Sequence, residues 1–457
     1  MTDSLRPIPS SPETEAVYRK VTRRLIPFLF ICYAAAYLDR VNVGFAKLQM
    51  MDDLQFSDAV YGLGAGMFFV GYIPFEVPSN VIMAKVGPKI WIARIMITWA
   101  LISGAMAFVT SPEMFYVLRF LLGVAEAGFI PGILFYLTRW FPAVRRGKVF
   151  ALFLAAIPVA SIFGGPLSGW ILDSFDDVGG FGGWQWVFVI EAVPSLLLGF
   201  AVLKWLDNDY ISAKWLTDRQ KDVVRHALSD DAHENNAAAH TRLGEVLKSP
   251  KVWLLSGVYF CIAMGIYIVS FWVPTIIHRS GVSGGLQIGL LTALPYLAAV
   301  VAMVTTSSHA DRTGERRWHT ALPCWATAIG LLITGLGAHN TVLAVAGLTI
   351  AAAGASTAQA AFWSLPSAFL AGVGAAAGIA LINSVGNIAG TVSTSVVGWL
   401  AVLTGSTTTS LYACAVILVL GGALVLRISS TLVNDHRSAT TTRPASGDSP
   451  TVSTATS

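Results

Sequence analysis

Twelve times along this chain an apolar run of roughly twenty residues gives way to a polar interval; the runs lie near 25–46, 59–83, 90–110, 114–138, 149–172, 185–206, 252–274, 287–308, 319–338, 341–364, 373–403 and 408–428. Crossing the hydrocarbon core of a bilayer as a helix takes about 17 to 25 apolar residues, so each run predicts a membrane span, the longer ones allowing for tilt. Residues 207–251 form the one long polar interval and divide the runs six and six. Within it, Ala213 to Leu228 has the spacing of an amphipathic surface helix, and Asp230 to His240 reads as flexible linker. The pattern predicts an all-α membrane protein: twelve helices in two pseudo-symmetric six-helix bundles, 25–206 and 252–428. A polar tail is expected over 1–24, and a Ser/Thr-rich disordered tail over 429–457.

Composition agrees. The 457 residues are 54% hydrophobic and 12% charged, against about 25% charged in ordinary soluble domains. Mean hydropathy is +0.64. No cleavable signal peptide is expected, because residues 1–24 are polar and carry Pro7, Pro9 and Pro12. Of the 30 Lys and Arg, 26 fall on one side if the N-terminus is cytoplasmic; Lys47 and Arg279 lie on the other, and Arg40 and Arg119 within runs. Positive residues concentrate inside, which places both termini in the cytoplasm of a cell-membrane protein. The net charge of +4 is then a matter of topology and calls for no nucleic acid.

Cys32, Cys261, Cys324 and Cys414 are scattered over four runs, as small core residues are. The eight His show no metal-ligand spacing, and neither a nucleophile elbow nor a phosphate-binding glycine loop is present. No metal, cofactor, enzymatic activity or ATP-driven pumping is expected.

Four ionisable residues interrupt the runs: Asp39 and Arg40 in the first, Arg119 and Glu126 in the fourth. A charge at bilayer depth costs at least about 2.5 to 3.5 kcal/mol, so such residues normally face a wet cavity and handle ions or substrate. Arg119 and Glu126 are close to two helical turns apart and share a face. Arg119 keeps its proton and offers a planar fork to a carboxylate, whereas Glu126 can titrate in response to its occupancy. Asp39 and Arg40 diverge by about 100° around their helix and cannot address one point. Arg40 shares a face with Tyr37, a pair suited to a carboxylate and a hydroxyl together. The alternative for all four is static bridging that fixes helix packing. Glu76 and Glu191, nearer span ends, are assigned to interhelical or loop-anchoring bonds. Gly164, Gly165 and Gly169, with Pro158 and Pro166, mark the fifth run as flexible or closely packed backbone.

Two loops in corresponding places resemble each other. After the eighth run, Asp311, Arg312, Gly314, Arg316 and Arg317 spell D-R-x-G-x-R-R; after the second, Lys85, Gly87 and Lys89 keep the spacing, with Ala84 where the acid would be. Such duplication is usual in secondary carriers. These loops are expected to latch helix ends during gating, the first more weakly for want of its acid.

The loop signature resembles that of the major facilitator superfamily. Within it, "YLDRVNVGFA" at 37–46, "FEVPSNVIMAKVG" at 75–87, "LRFLLGVAEAGFIPG" at 118–132, "GWQWVFVIEAVPS" at 183–195, and "FWSLPSAFLAG" with "AAGIALINSVGNIAG" at 362–390 resemble the anion:cation symporter family. The resemblance implies proton-coupled transport of an organic anion, with Asp39 and Glu126 as proton-coupling sites and Arg40 and Arg119 as substrate ligands. It also implies that Tyr72, Trp363 and Asn383 line the cavity. Trp363 serves equally as an interfacial anchor, and Asn383 and Asn387 as interhelical hydrogen bonders. The expected function is uptake of a sugar acid or a hydroxy-dicarboxylate such as tartrate, then of an aromatic carboxylate such as hydroxyphenylacetate or phthalate. The partners are the small anion, protons and the lipid bilayer, and the working unit is expected to be a monomer. A proton-antiporting exporter of the same fold is the alternative.

Overall fold

The computed structural model describes residues 12–236, 248–367 and 372–430. Among these, twelve helices are long and apolar enough to cross a membrane: Pro12–Asp53, Asp58–Val86, Pro88–Phe108, Pro112–Thr138, Val144–Ser174 and Gly183–Trp205 in the first half. Pro250–Arg279, Gly285–Ala310, Trp318–Leu336, Thr341–Pro366, Gly378–Thr404 and Thr408–Leu426 make up the second. Caps written into the sequence start several of them. Ser57 Oγ accepts from Val60 N at 3.3 Å, Ser111 Oγ from Met114 N at 3.2 Å, and Asn340 Oδ1 from Leu343 N at 3.1 Å, each satisfying an amide the first turn leaves free.

Two boundaries differ from expectation. The first helix begins at Pro12, so half of the expected tail is helical; Val17, Tyr18 and Val21 are buried and hold it to the bundle. In the central interval the helix is Asp218–Asn236, which starts later than the amphipathic stretch and takes in the beginning of the expected linker. The remainder of that linker, residues 1–11 and the tail from 431 lie outside the described residues.

The first, fourth and fifth spans are interrupted, and the tenth breaks at Trp363 between Thr341–Phe362 and Ser364–Ser367. Helix Pro12–Val41 gives way to Val43–Asp53 at Asn42, Pro112–Glu126 to Phe129–Thr138 at Ala127 and Gly128, and Ala143–Leu154 to Ala156–Ser174 at Ala155. Gly128 has φ +87°, a left-handed conformation that favours glycine.

The halves meet along the fifth and eighth spans and along the second and eleventh. Glycines set these seams: a Cβ on Gly165 would lie 2.9 Å from Gly289 O, and one on Gly62 3.0 Å from Gly398 Cα. Backbone therefore packs on backbone, as the fifth run's glycines led us to expect. Polar bonds reinforce the seams at the end where the first span finishes and the second begins. Asp173 accepts from Gly285 N and Leu286 N, both at 2.8 Å. Asp58 accepts from Lys47 Nζ at 2.8 Å within its own half and from Arg279 Nη2 at 2.5 Å across the divide. Tyr61 OH donates to Phe271 O at 2.8 Å. The four cysteines are buried and free.

Candidate functional site

Two of the helix breaks have a charged residue beside them. Arg40 occupies the last turn before Asn42, where the helix C-terminus favours a cation, and Glu126 is the last residue before the Ala127–Gly128 break. They are each other's partners: Arg40 Nη2 donates to Glu126 Oε1, tying the first span to the fourth. Irregular backbone within a span is the usual setting for a carrier's binding site.

Arg119, two turns before Glu126, is 0% exposed, and none of its three guanidinium nitrogens has a hydrogen-bond partner among the described residues. Phe68, on the second span, faces both cations, its ring centre 5.1 Å from Arg40 Cζ and 5.3 Å from Arg119 Cζ. Tyr72 stacks on Phe68 at 5.8 Å and lies 5.5 Å from the Arg40 guanidinium. Cation–π contact offsets part of the cost of burying two cations. It leaves the donors of Arg119 unsatisfied, an arrangement costly in low dielectric unless a further acceptor arrives. A carboxylate supplies two acceptors in the plane of the fork.

Asp39 points elsewhere, as its 100° offset from Arg40 requires. It accepts from Trp99 Nε1 at 3.1 Å and Ser103 Oγ at 3.0 Å on the third span, and from Ser195 Oγ on the sixth. Tyr37 shares a hydrogen bond with Ser270 Oγ of the seventh span at 3.1 Å, so it joins the halves beside Arg40. Asn383 reaches the opposite half, its Nδ2 donating to Glu76 Oε1 at 3.3 Å. Asn387 Oδ1 accepts from Tyr267 OH at 2.9 Å. Trp363 packs on Tyr259 at 4.8 Å, within the second half. Glu191 accepts from Ser168 Oγ at 2.6 Å, and its Oε2 has no partner among the described residues.

Arg40, Arg119, Glu126 and Tyr72 thus converge, Asn383 bonds to Glu76 one turn beyond Tyr72, Asp39 turns to the third and sixth spans, and Trp363 packs on Tyr259. Two residues escaped sequence reading, Phe68 beside the cations and Asp58 at the seam between the halves; Glu76, read as an interhelical hydrogen bonder, is one. Phe68 is an ordinary aromatic of an apolar run, and Asp58 an ordinary first-turn acid. Glu76 carried a signal: it follows Tyr72 by four residues and so shares its helix face.

In the paired loops, Gly87 and Gly314 both have positive φ, +100° and +66°. Lys89 N donates to Asn208 Oδ1 at 3.1 Å, and Lys85 and Arg312 are exposed. Arg316 Nη1 donates to Ser364 O at 3.3 Å, and Arg317 Nη1 to Leu426 O at 3.4 Å and Ile428 O at 3.2 Å, holding the ends of the tenth and twelfth spans. Asp311 lies in helix Gly285–Thr313; its side chain is outside the described residues. In the same loop, burial raises the Glu315 carboxyl, but bonds from Trp318 N and from the ring and amide of His319 outweigh it and hold the acid below its ordinary range.

Comparison with known proteins places this geometry. Residues 29–394 match the Major Facilitator Superfamily. A Pseudomonas putida protein named as a metabolite transport protein, NicT, is 51% identical over 421 residues, covering 92% of this chain and 96% of its own. An Agrobacterium vitis protein named as a tartrate transporter is 46% identical over 410 residues, 90% of each chain. A quinolone resistance transporter of Acinetobacter baumannii is 40% identical over 405 residues, 89% of this chain and 93% of its own. The partially occluded inward-open form of the xylose transporter XylE from E. coli superposes with a TM-score of 0.71 at 13% identity, covering 90% of this chain and 98% of that one. With its twelve spans in two halves, the chain belongs to the major facilitator superfamily and is a membrane transporter, not an enzyme.

Proposed function

We propose that this transporter takes up an organic carboxylate together with protons by alternating access, with both termini in the cytoplasm. The observation that carries the reading is Arg119, a fully buried guanidinium whose donors all lack partners among the described residues. Beside it, the Arg40–Glu126 pair works as a proton-operated clasp. When Glu126 is protonated it loses its hold on Arg40, and the two arginines together receive the anion. When the proton leaves, Glu126 reclaims Arg40 and the anion is released. Asp39, cradled by three donors and no cation among its hydrogen bonds, is a second carboxyl for a second proton. For a monocarboxylate the energetics favour two: one negative charge moved inward against about 100 mV costs roughly 2.3 kcal/mol, which one proton cancels and a second turns into a driving force; for a dicarboxylate two protons cancel the cost. Tyr72 and Asn383 supply hydroxyl and amide groups suited to a hydroxylated acid, and the relative named for tartrate supports that class over aromatic acids.

The test is uptake of a panel of acids into proteoliposomes with and without an imposed pH gradient. Glu126→Gln should abolish gradient-driven accumulation while sparing exchange of substrate for substrate. Undiminished uphill uptake in that variant would remove Glu126 from the coupling scheme. The quinolone resistance relative favours a second reading, export by proton antiport. Quinolone extrusion driven by the gradient, with no uptake of any acid in the panel, would establish it instead.

A further inference from the structure

The first helix enters the bundle with four basic residues on successive turns, Arg19, Lys20, Arg23 and Arg24. With Trp205, at the end of the sixth span, and Trp215, in the central interval, they line a cavity of about 460 Å³. Arg24 forms the floor: its guanidinium lies 4.8 Å from the Trp205 ring and 5.2 Å from the Trp215 ring, and its Nε is buried without a partner among the described residues. The walls are fixed by other bonds. Trp205 Nε1 donates to Arg24 O at 3.3 Å, Trp215 Nε1 to Asp207 Oδ2 at 2.8 Å, and Lys20 Nζ to Trp215 O at 2.7 Å.

The acids of the same helix are committed away from this cavity. Glu13 pairs with Arg219 at 2.5 Å and Glu15 with Arg145 at 2.6 Å. Arg19 and Arg23 are exposed, and no ion pair to either is present among the described residues. Four like charges therefore converge on one hollow with no acid in its lining, a condition that a bound anion relieves. The depth of the hollow points to the kind of anion. Trp205 is 46% exposed where its span ends, the position Trp takes at headgroup level, and Phe28, one turn deeper on the first span, stacks on it at 6.0 Å.

We propose that this hollow binds the phosphate headgroup of an anionic phospholipid, with Arg19 and Arg23 gripping the phosphate and the Arg24–tryptophan sandwich forming its base. Clusters of four or more Lys and Arg where a span leaves the membrane are the general signature of such recognition. The bound lipid joins the first span, the sixth span and the central interval at one point. The proposal is independent of the transport reading above, because lipid retention is measured without substrate.

The experiment is native mass spectrometry of the full chain, delipidated and then offered phosphatidylglycerol, phosphatidylcholine or inorganic phosphate. Phosphatidylglycerol should be retained in preference to phosphatidylcholine, and excess inorganic phosphate should not displace it. The double variant Arg19→Gln with Arg23→Gln should weaken retention about 25-fold, a factor of about 5 for each charge removed near an anionic surface. Both side chains are exposed, so folding is preserved, and an unchanged melting temperature in detergent verifies it. Equal retention of the two lipids, undiminished phosphatidylglycerol binding in the double variant, or displacement by inorganic phosphate would each overturn the proposal. The last result would identify a soluble phosphate as the ligand.

Discussion

Replacing Arg279 by Gln isolates the ionic contact that spans the two halves at their closed end. Asp58 is held twice, by Lys47 from its own half and by Arg279 from the other, at 2.8 and 2.5 Å. The Lys47 contact persists whether the halves are together or apart, so it cancels between states; the Arg279 contact does not. Its side chain is 40% exposed against 12% for Asp58, which puts the bond between a screened surface pair and a buried charge-assisted one, at about 1 to 2 kcal/mol. That is a shift of about 5- to 30-fold in the balance between closed and open at this end. Spin labels on exposed Gln55 and Ser283, one on each side of the divide, read the populations as a distance distribution by pulsed electron resonance. Arg279→Gln should enlarge the long-distance population by that factor. The apparent affinity for substrate offered at the same end should rise by at most the same amount, since it scales with the competent fraction. Added salt should blunt the effect in the parent protein, because the bond is partly screened already. A distance distribution identical to the parent's would refute the argument and leave closure to Asp173 and the glycine seams.

Two further substitutions probe the interior. Arg119→Lys keeps the charge but loses the planar fork, and substrate binding measured by isothermal titration should weaken about a hundredfold, or about 2.8 kcal/mol; near-parental affinity would contradict the role given to Arg119. Ser168→Ala removes the hydroxyl that donates to Glu191 at 2.6 Å. Stability to denaturant should fall by about 1 to 3 kcal/mol, the cost of leaving a buried polar group unmade, and an unchanged transition would mean that another donor takes over.

The spans were legible because the bilayer admits few solutions: about twenty apolar residues or none. The buried charges stood out for a related reason, since Asp39, Arg40, Arg119 and Glu126 are costly in hydrocarbon. Helical geometry also foretold that Asp39 and Arg40 part company, and Asp39 indeed turns to Trp99, Ser103 and Ser195. Partner choice was not legible. That Arg40 takes Glu126 and leaves Arg119 alone depends on how the first and fourth helices approach, which no spacing within one helix encodes. For the same reason Lys47 and Arg279 read as two stray positive charges until the fold brought Asp58 between them. The early start of the first helix had a signal that its prolines masked: Val17, Tyr18, Val21 and Leu25 fall on one face, and Pro12 sits in the first turn, where proline is tolerated.

The glycine seams give the closed end a smooth bearing surface. Where Gly165 meets Gly289 and Gly62 meets Gly398, backbone lies against backbone, so at these points parting the halves drags no knob out of a hole. Resistance to separation falls instead to the polar fastenings and to the aromatic contacts of Tyr61 and Phe69 with the seventh and eleventh spans, each adjustable on its own. By the same token a single methyl group on any of these four residues would act as a wedge.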